Sequence, residues 1–407
     1  MSKLYVSEYI SNFSCIGSKC EDNCCGKWIV PVDKKSYENY EKLEREGTAD
    51  FLQFIEKNNT STHECNYATL KMDPDKMCPL LTEDGLCQIH RDYGYDALCD
   101  TCKHYPKIIR KMNDTYYQTG YLSCPEMARV VLLSKSPAEW KLVMTEQPIN
   151  QTLIEEITVN RNYMKNIHRN ITDIFGQKHL SLSQRIGLIG IFIGQLHTAI
   201  KDKKGTNKAI ALAEKKVKRR MKEEISHFIE PKMSILLPGM LKIGDSFTSM
   251  DIKQHTTNRR LSECVDLFKE GMQIQDKDTV IVKEFANMYR KNRDAFYQPF
   301  FAEHEYILEN YCWYYFQHDF FPYHTTNLPM KYLLFVIEFS ILKLFLVGIS
   351  ASSSGLNEQI IVQLFQTYSK CLTHSGEDYA EYIVTIHDQL YERTQDFYEM
   401  VNILTSE

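Results

Sequence analysis

Hydrophobic and polar positions along this chain keep two different rhythms. Beyond position 138, apolar residues recur at i, i+3 and i+4 almost throughout, the spacing of a helix that buries one face. The segments Ile149–Thr172 and Ser181–Lys201 carry this pattern, and a helix is predicted over each. Gly187, Gly190 and Gly194 fall within the second. A phosphate-cradling loop is the alternative there, but glycines on an apolar helix more often form a close-packing face. In Lys201–Lys222, a stripe of Ile210, Leu212, Ala213 and Val217 backs a strongly basic face that includes Lys215, Lys216, Lys218, Arg219 and Arg220. That is read as a solvated helix face, since basic runs without interleaved aromatics rarely read bases. Leu333–Ile349 is strongly apolar but interrupted by Glu338 and Lys343. A membrane span needs about 20 predominantly apolar residues, so a buried helix is predicted instead.

The first 133 residues lack that rhythm and read as loops and short elements. Trp28–Val32 has the makings of a short strand, with Pro31 placing it at an edge. Asp33 or Ser36 is positioned to cap a helix through Tyr37, Tyr40 and Leu43, ended by Gly47. Between Pro79 and Ile89, the dipeptide Asp84-Gly85 predicts a hairpin turn. Tyr116–Leu122 reads as a strand running into Ser123-Cys124-Pro125-Glu126, the spacing of a capping box, with a helix through Met127, Val130, Val131 and Leu133. The segment Ser134–Ala138, with Pro137, is the expected boundary.

Composition supports this division. With 17 Gly and 12 Pro in 407 residues, about 7%, chain-breakers are scarce against a usual share of about 12%. Hydrophobic content of 43% and charged content of 25% exclude a disordered chain, a collagen or a secreted mini-protein scaffold. The fold expected is mainly α. A cysteine-rich loop and short-strand module at 1–133 holds a metal centre, and a large all-helical body follows at 134–407. A net charge of −5 offers no global attraction to nucleic acid or to an anionic membrane. The N-terminus has no apolar core or cleavage site of a signal peptide, so a cytoplasmic protein with reduced thiols is expected.

The cysteines are the chemical signal. Ten of the 13 lie in the first 124 positions: Cys15, Cys20, Cys24, Cys25, Cys65, Cys78, Cys87, Cys99, Cys102 and Cys124. Thiolates are soft ligands suited to zinc, Cu(I) or iron–sulfur clusters, and four suffice for a zinc site or a [4Fe–4S] cube. The spacing leaves zinc and iron–sulfur both open. Inert buried thiols are common singly, and that is the reading for Cys264, Cys312 and Cys371 on their apolar helices. Ten in one short segment speak for a metal. The Cys-x3-Cys-x2-Cys loop of radical S-adenosylmethionine enzymes is not present, because Cys25 stands where the x2 gap belongs. No strand–GxGxxG–helix unit supports a Rossmann-type nucleotide site.

The run Phe13–Trp28, with Cys15, Cys20, Cys24 and Cys25, resembles the signature of bacterial flagellin lysine N-methylases, part of a group with a zinc/iron-chelating CxxCxxCC domain. The likeness continues through Cys78-Pro79-Leu80-Leu81, Leu86-Cys87-Gln88-Ile89, Thr101–Lys107 and Leu122–Arg129, and more loosely at Glu309-Asn310-Tyr311, Phe320-Phe321-Pro322 and His374. It implies methyl transfer from S-adenosylmethionine to lysine ε-amines of flagellin. It also implies a cluster, [4Fe–4S] with zinc as the alternative, held by Cys15, Cys20, Cys24, Cys25, Cys78, Cys87, Cys102 and Cys124. Cys65 and Cys99 match less clearly, and Lys107 stands where arginine is usual.

Amine methylation is a polar displacement and requires no radical. Its cost lies in deprotonating lysine, roughly 4–5 kcal/mol at pH 7 for a pKa of about 10.4. Phe296–Tyr323 holds 13 aromatics in 28 residues, a candidate wall for a sulfonium or methylammonium pocket, though an aromatic helical core is the plainer reading. Glu309, His318, Asp319 and His324 are candidate acceptors; no catalytic base and no donor-binding residue is assigned. The rival function is a non-enzymatic metal-binding interaction protein or an electron carrier.

Overall fold

A computed structural model describes residues 2–26, 28–61, 63–74, 77–135, 139–145, 154–157, 163–222, 259–274, 282–323, 325, 327–374, 388, 397, 400 and 401. The chain forms two compact units. One comprises Met1–Thr158 and Phe365–Gly376; the other comprises Val159–Leu364 and Glu377–Glu407. The break expected at 133/134 therefore falls at 158/159, and the cysteine unit includes a segment from near the C-terminus.

The cysteine unit is built on two sheets. The larger has strands in the order β7-β1-β6-β5-β8: β1 (Ser2–Ser7), β5 (Lys107–Met112), β6 (Thr115–Gly120), β7 (Trp140–Thr145) and β8 (Ile154–Ile157). β5 and β6 form an antiparallel hairpin turning at Asn113, whose φ of 55° suits an asparagine. β1 runs parallel to β6 and antiparallel to β7, while β8 runs parallel to β5. A smaller antiparallel sheet joins β2 (Pro31–Val32), β4 (Ala68–Leu70) and β3 (Ile55–Lys57) in that order. The helix expected after Asp33 forms, and the strand expected over Trp28–Val32 is confined to Pro31–Val32, at the edge of its sheet. Asp33 accepts a hydrogen bond from the Ser36 amide (2.9 Å) and starts α2 (Lys34–Arg45). Gly47 at φ +69° ends it. Val32, Tyr37, Tyr40, Phe51, Ile55, Leu70, Leu80 and Ile89 close a small core over these elements.

Three expectations are corrected here. The helix predicted over Ile149–Thr172 is strand β8 in part and begins only at Met164; residues 149–153 and 158–162 lie outside the described residues. Ile154 and Ile157 stand three apart, a spacing that imitates a helix face, while their real partner β5 is more than forty residues away. Ser123 does not cap the following helix. Cys124 holds that position, before Pro125 opens α5 (Pro125–Leu132), and the Ser123 hydroxyl bonds Tyr105 instead (3.0 Å). The Asp84-Gly85 turn forms as predicted, with Gly85 at φ +75°. Only one bridge, Leu81 to Cys87, precedes α3 (Gln88–Tyr93), so no full hairpin strand follows. The described residues of the unit also include two further short helices, α1 (Glu8–Ser11) and α4 (Asp100–His104).

Among its described residues the second unit contains helices only. α6 (Met164–Phe175), α7 (Leu182–Lys201) and α8 (Thr206–Lys222) come first. Ser181 and Gln184 form a reciprocal capping box at the start of α7. A Cβ on Gly190 would lie 2.6 Å from Val401 Cγ1, so this glycine serves close packing, as read from the sequence. On α8, Ala209, Ile210, Ala213 and Val217 are buried, and Leu212 sits at the stripe's edge. α9 (Arg259–Gly271) lies against α12 (Leu328–Ser350), with Phe268 and Phe345 4.8 Å apart. An added Cβ on Gly271 would run into the Gly348 carbonyl oxygen. α10 (Val282–Asn292) leads through one π-turn into α11 (Gln298–His318). α12 is long and apolar enough to cross a membrane by length and composition, and 89% of its most apolar window is buried in the protein. A further helix, α13 (Glu358–His374), starts in this unit and ends in the cysteine unit.

Candidate metal centre

The thiols are placed by loops whose backbones are tied to one another. Cys15 and Cys20 flank a single turn, Gly17–Lys19, with Gly17 at φ +57°. The Asp22 carboxylate accepts from the Asn23 amide (2.8 Å), and the Asn23 side chain accepts from the Cys25 amide (3.1 Å). The Cys24 carbonyl takes the Trp28 indole N–H (2.9 Å), and the Cys25 carbonyl takes the Cys78 amide (2.8 Å). Asp33, already the cap of α2, also accepts from the Asp100 amide (2.9 Å) and so sets the start of α4. Cys87, Cys99 and Cys124 each occupy the position just before a helix, α3, α4 and α5. Free backbone N–H groups in a first turn favour negative charge, which suits a thiolate.

All thirteen cysteines are free thiols. Cys24 and Cys25 are 3.8 Å apart at sulfur, and Cys99 and Cys102 share a hydrogen bond. The charges of Cys24, Cys25, Cys78, Cys87, Cys99 and Cys102 act on one another, which gathers six thiols in one neighbourhood. Cys124 feels Cys20 and Cys24, and Cys20 feels Cys15. Cys99, which the resemblance left aside, is buried within this gathering; Cys65 lies on the turn Glu64–Asn66. The sequence cue for Cys99 was its Cys-x2-Cys pairing with Cys102. Within the pairs the thiols polarise: the bond to Cys25 draws Cys24 down to about 7, while the same bond pushes Cys25 up. Burial pushes Cys78 up to about 11 and Cys124 to about 12. Among the described residues, no three His, Cys, Asp or Glu side chains converge on one point as metal ligands. The donor chemistry nevertheless fits a thiophilic metal: several soft donors on adjoining loops, with one already drawn toward the thiolate.

Candidate acceptors lie in the helical unit. Arg185 is fully buried, held by Glu305 (3.2 Å), Glu309 (2.5 Å) and the Phe175 carbonyl (3.2 Å). Burial pushes the Glu309 carboxyl up, but its bonds to Lys178 and Arg185 outweigh that and hold it below the usual range. Glu309 is thus committed to structure. Asp319 is paired with Lys331 (2.5 Å), and His318 stacks on Tyr314 (5.0 Å); His324 lies outside the described residues. The aromatic stretch is chiefly core, with Phe316 packed on Phe175, Phe321 and Phe335. Sequence reading passed over Glu338, noting it only as an interruption of an apolar run. It is half-buried on α12, where the charges of Lys331 and Asp319 act on it in opposite senses. Crowding by the helices raises its carboxyl to about 8, with Asp319 adding to the effect.

The pattern of the FliB lysine N-methylase C-terminal domain matches residues 168–402, more than half of the chain. The chain belongs to the FliB lysine N-methylase family. Lysine-N-methylases of Salmonella choleraesuis and Salmonella typhimurium are 30% and 29% identical over 142 and 140 residues. Each match covers 32% of this chain and 33% of the Salmonella protein, so the aligned part spans about a third of those relatives. The flagellar biosynthetic protein FliU of Salmonella muenchen is 29% identical over 140 residues, covering 32% of this chain and 79% of FliU. No solved structure matches.

Proposed function

We propose that this protein methylates lysine ε-amines of flagellin, taking the methyl group from S-adenosylmethionine, and carries a [4Fe–4S] cluster on its N-terminal thiols. Membership of the FliB lysine N-methylase family carries the lysine-methylation part of the reading, the flagellar name of the FliU relative supports flagellin as substrate, and the gathering of N-terminal thiols supports the cluster. The candidate cluster ligands are drawn from Cys20, Cys24, Cys25, Cys78, Cys87, Cys99, Cys102 and Cys124, with Cys15 at the edge of the group. Bound there, a cluster supplies iron–thiolate bonds that staple the loops together. In methyl transfer the amine lone pair attacks the sulfonium methyl carbon as the carbon–sulfur bond breaks toward sulfur. The amine proton needs an acceptor. Glu338 is the carboxyl proposed for it, since the other acidic candidates, Glu309 and Asp319, already hold cations.

The test is the intact mass of flagellin after incubation with anaerobically purified protein and S-adenosylmethionine. Added increments of one methyl group on lysine peptides are expected. Flagellin unchanged in mass, with the bound metal shown to be present, would sink the methylase reading. Brown protein containing iron and sulfide is expected on purification; colourless protein with stoichiometric zinc would replace the cluster by a zinc site.

A further inference from the structure

We infer that Lys370 and Gln366, one turn apart on α13, are positioning residues for the cysteine centre, so that the centre is held tightly only with this stretch of α13 in place. This rests on the metal reading above, and the test separates the two. Gln366 is fully buried and Lys370 is 8% exposed. The Lys370 ammonium donates to Asp22 Oδ1 (2.8 Å), Asp22 Oδ2 (2.9 Å) and the Asn23 carbonyl (2.9 Å). The Gln366 amide donates to Asp22 Oδ2 (2.9 Å) and to the Ser123 carbonyl (2.9 Å). Residues at i and i+4 share a helix face, so one face of α13 holds two loops at once. One loop carries Cys20, Cys24 and Cys25; the other carries Cys124.

The bonds continue inward without a gap. Asp22 accepts from the Asn23 amide, Asn23 accepts from the Cys25 amide, and the Cys25 carbonyl accepts from Cys78. A pull at Lys370 is therefore felt at three thiol-bearing positions. The ammonium and carboxylate compensate each other's charge away from water. Removing either one strands its partner, which is costly in a buried setting. Partners of this kind orient metal ligands, and their loss typically costs 10–100-fold in metal affinity.

The experiment uses the full chain, purified anaerobically, with Lys370→Met, Gln366→Met and Lys370→Arg compared with the parent. Two readouts are taken: iron or zinc per chain during challenge with a chelator, and alkylation of each cysteine by iodoacetamide, read by peptide mass. Circular dichroism checks that the helices remain. Lys370→Met is expected to lose metal about tenfold faster, with Gln366→Met weaker in the same direction and Lys370→Arg close to the parent. Cys24, Cys25 and Cys124 should alkylate faster in Lys370→Met, while Cys65 keeps its parental rate. Parental metal retention and parental alkylation in both Met variants would overturn the inference. If the parent itself binds no metal, the metal reading fails and alkylation alone decides: equal rates at Cys24, Cys25 and Cys124 would overturn the positioning role.

Discussion

The two units are held together by opposite means. The helical unit closes over aromatic and aliphatic side chains, with Phe175, Phe316, Phe335 and Tyr332 in edge and tilted contact and one fully buried cation, Arg185, satisfied by two carboxylates. The cysteine unit has strands as short as two residues, a small core, and thiols left half-open on loops. A chain that invests its helices in packing and its loops in thiols separates stability from ligand chemistry. Damage to one should leave the other measurable.

The largest effect is expected from Cys24→Ser or Cys78→Ser. Both should abolish metal binding and loosen the cysteine unit, because thiolate–metal bonds are coupled to folding. Metal analysis and limited proteolysis would show it; unchanged metal content in both variants would remove these residues from the ligand set. Next comes Arg185→Leu, which leaves Glu309 and Glu305 without their buried partner. Glu309 keeps Lys178 and Glu305 reaches water, so the loss is that of unpaired acceptors and packing, about 1–3 kcal/mol, seen as a lower denaturant midpoint for the helices while metal content persists. A simultaneous loss of metal would show that the units are less separable than their construction suggests.

The smallest effect concerns Glu338 and pH. Its folded carboxyl sits at about 8, above the ordinary 4.5. Between those values the folded state keeps a proton that the unfolded chain releases, so stability declines as pH rises through that window. Glu338→Gln should flatten this decline and raise Tm at pH 8 by roughly a few degrees. The same variant should slow methyl transfer and remove its rise with pH near 8. A parental pH–rate profile would excuse Glu338 from proton transfer.

What could be read from the residues was local. Asp33 and Gly47 bracket α2 because caps act within one turn, and Asp84-Gly85 marks a turn for the same reason. The apolar stripe of α8 and the close packing at Gly190 on α7 followed from periodicity. The five-stranded sheet did not, because its pairings are distant: β1 meets β6 across more than a hundred residues, and parallel pairs leave no turn signature. Cys99 looked peripheral by motif and lies among the other thiols by geometry. The roles of Gln366 and Lys370 were invisible, since no spacing rule connects a helix near residue 370 to an aspartate at 22. Glu338 read as an interruption because an apolar run conceals what its one acid faces.

The hydrogen bonds from Lys370 to Asp22 close a loop of 348 residues. At synthesis rates of about 5–20 residues per second, that partner leaves the ribosome roughly 20–70 s after Asp22 does. Through that interval the first cysteines emerge without their final bracing, open to oxidants and to whichever thiophilic ion arrives first. On the proposed metal reading, correct loading is then a matter of timing as well as affinity, and growth conditions that slow translation should enrich miscoordinated chains.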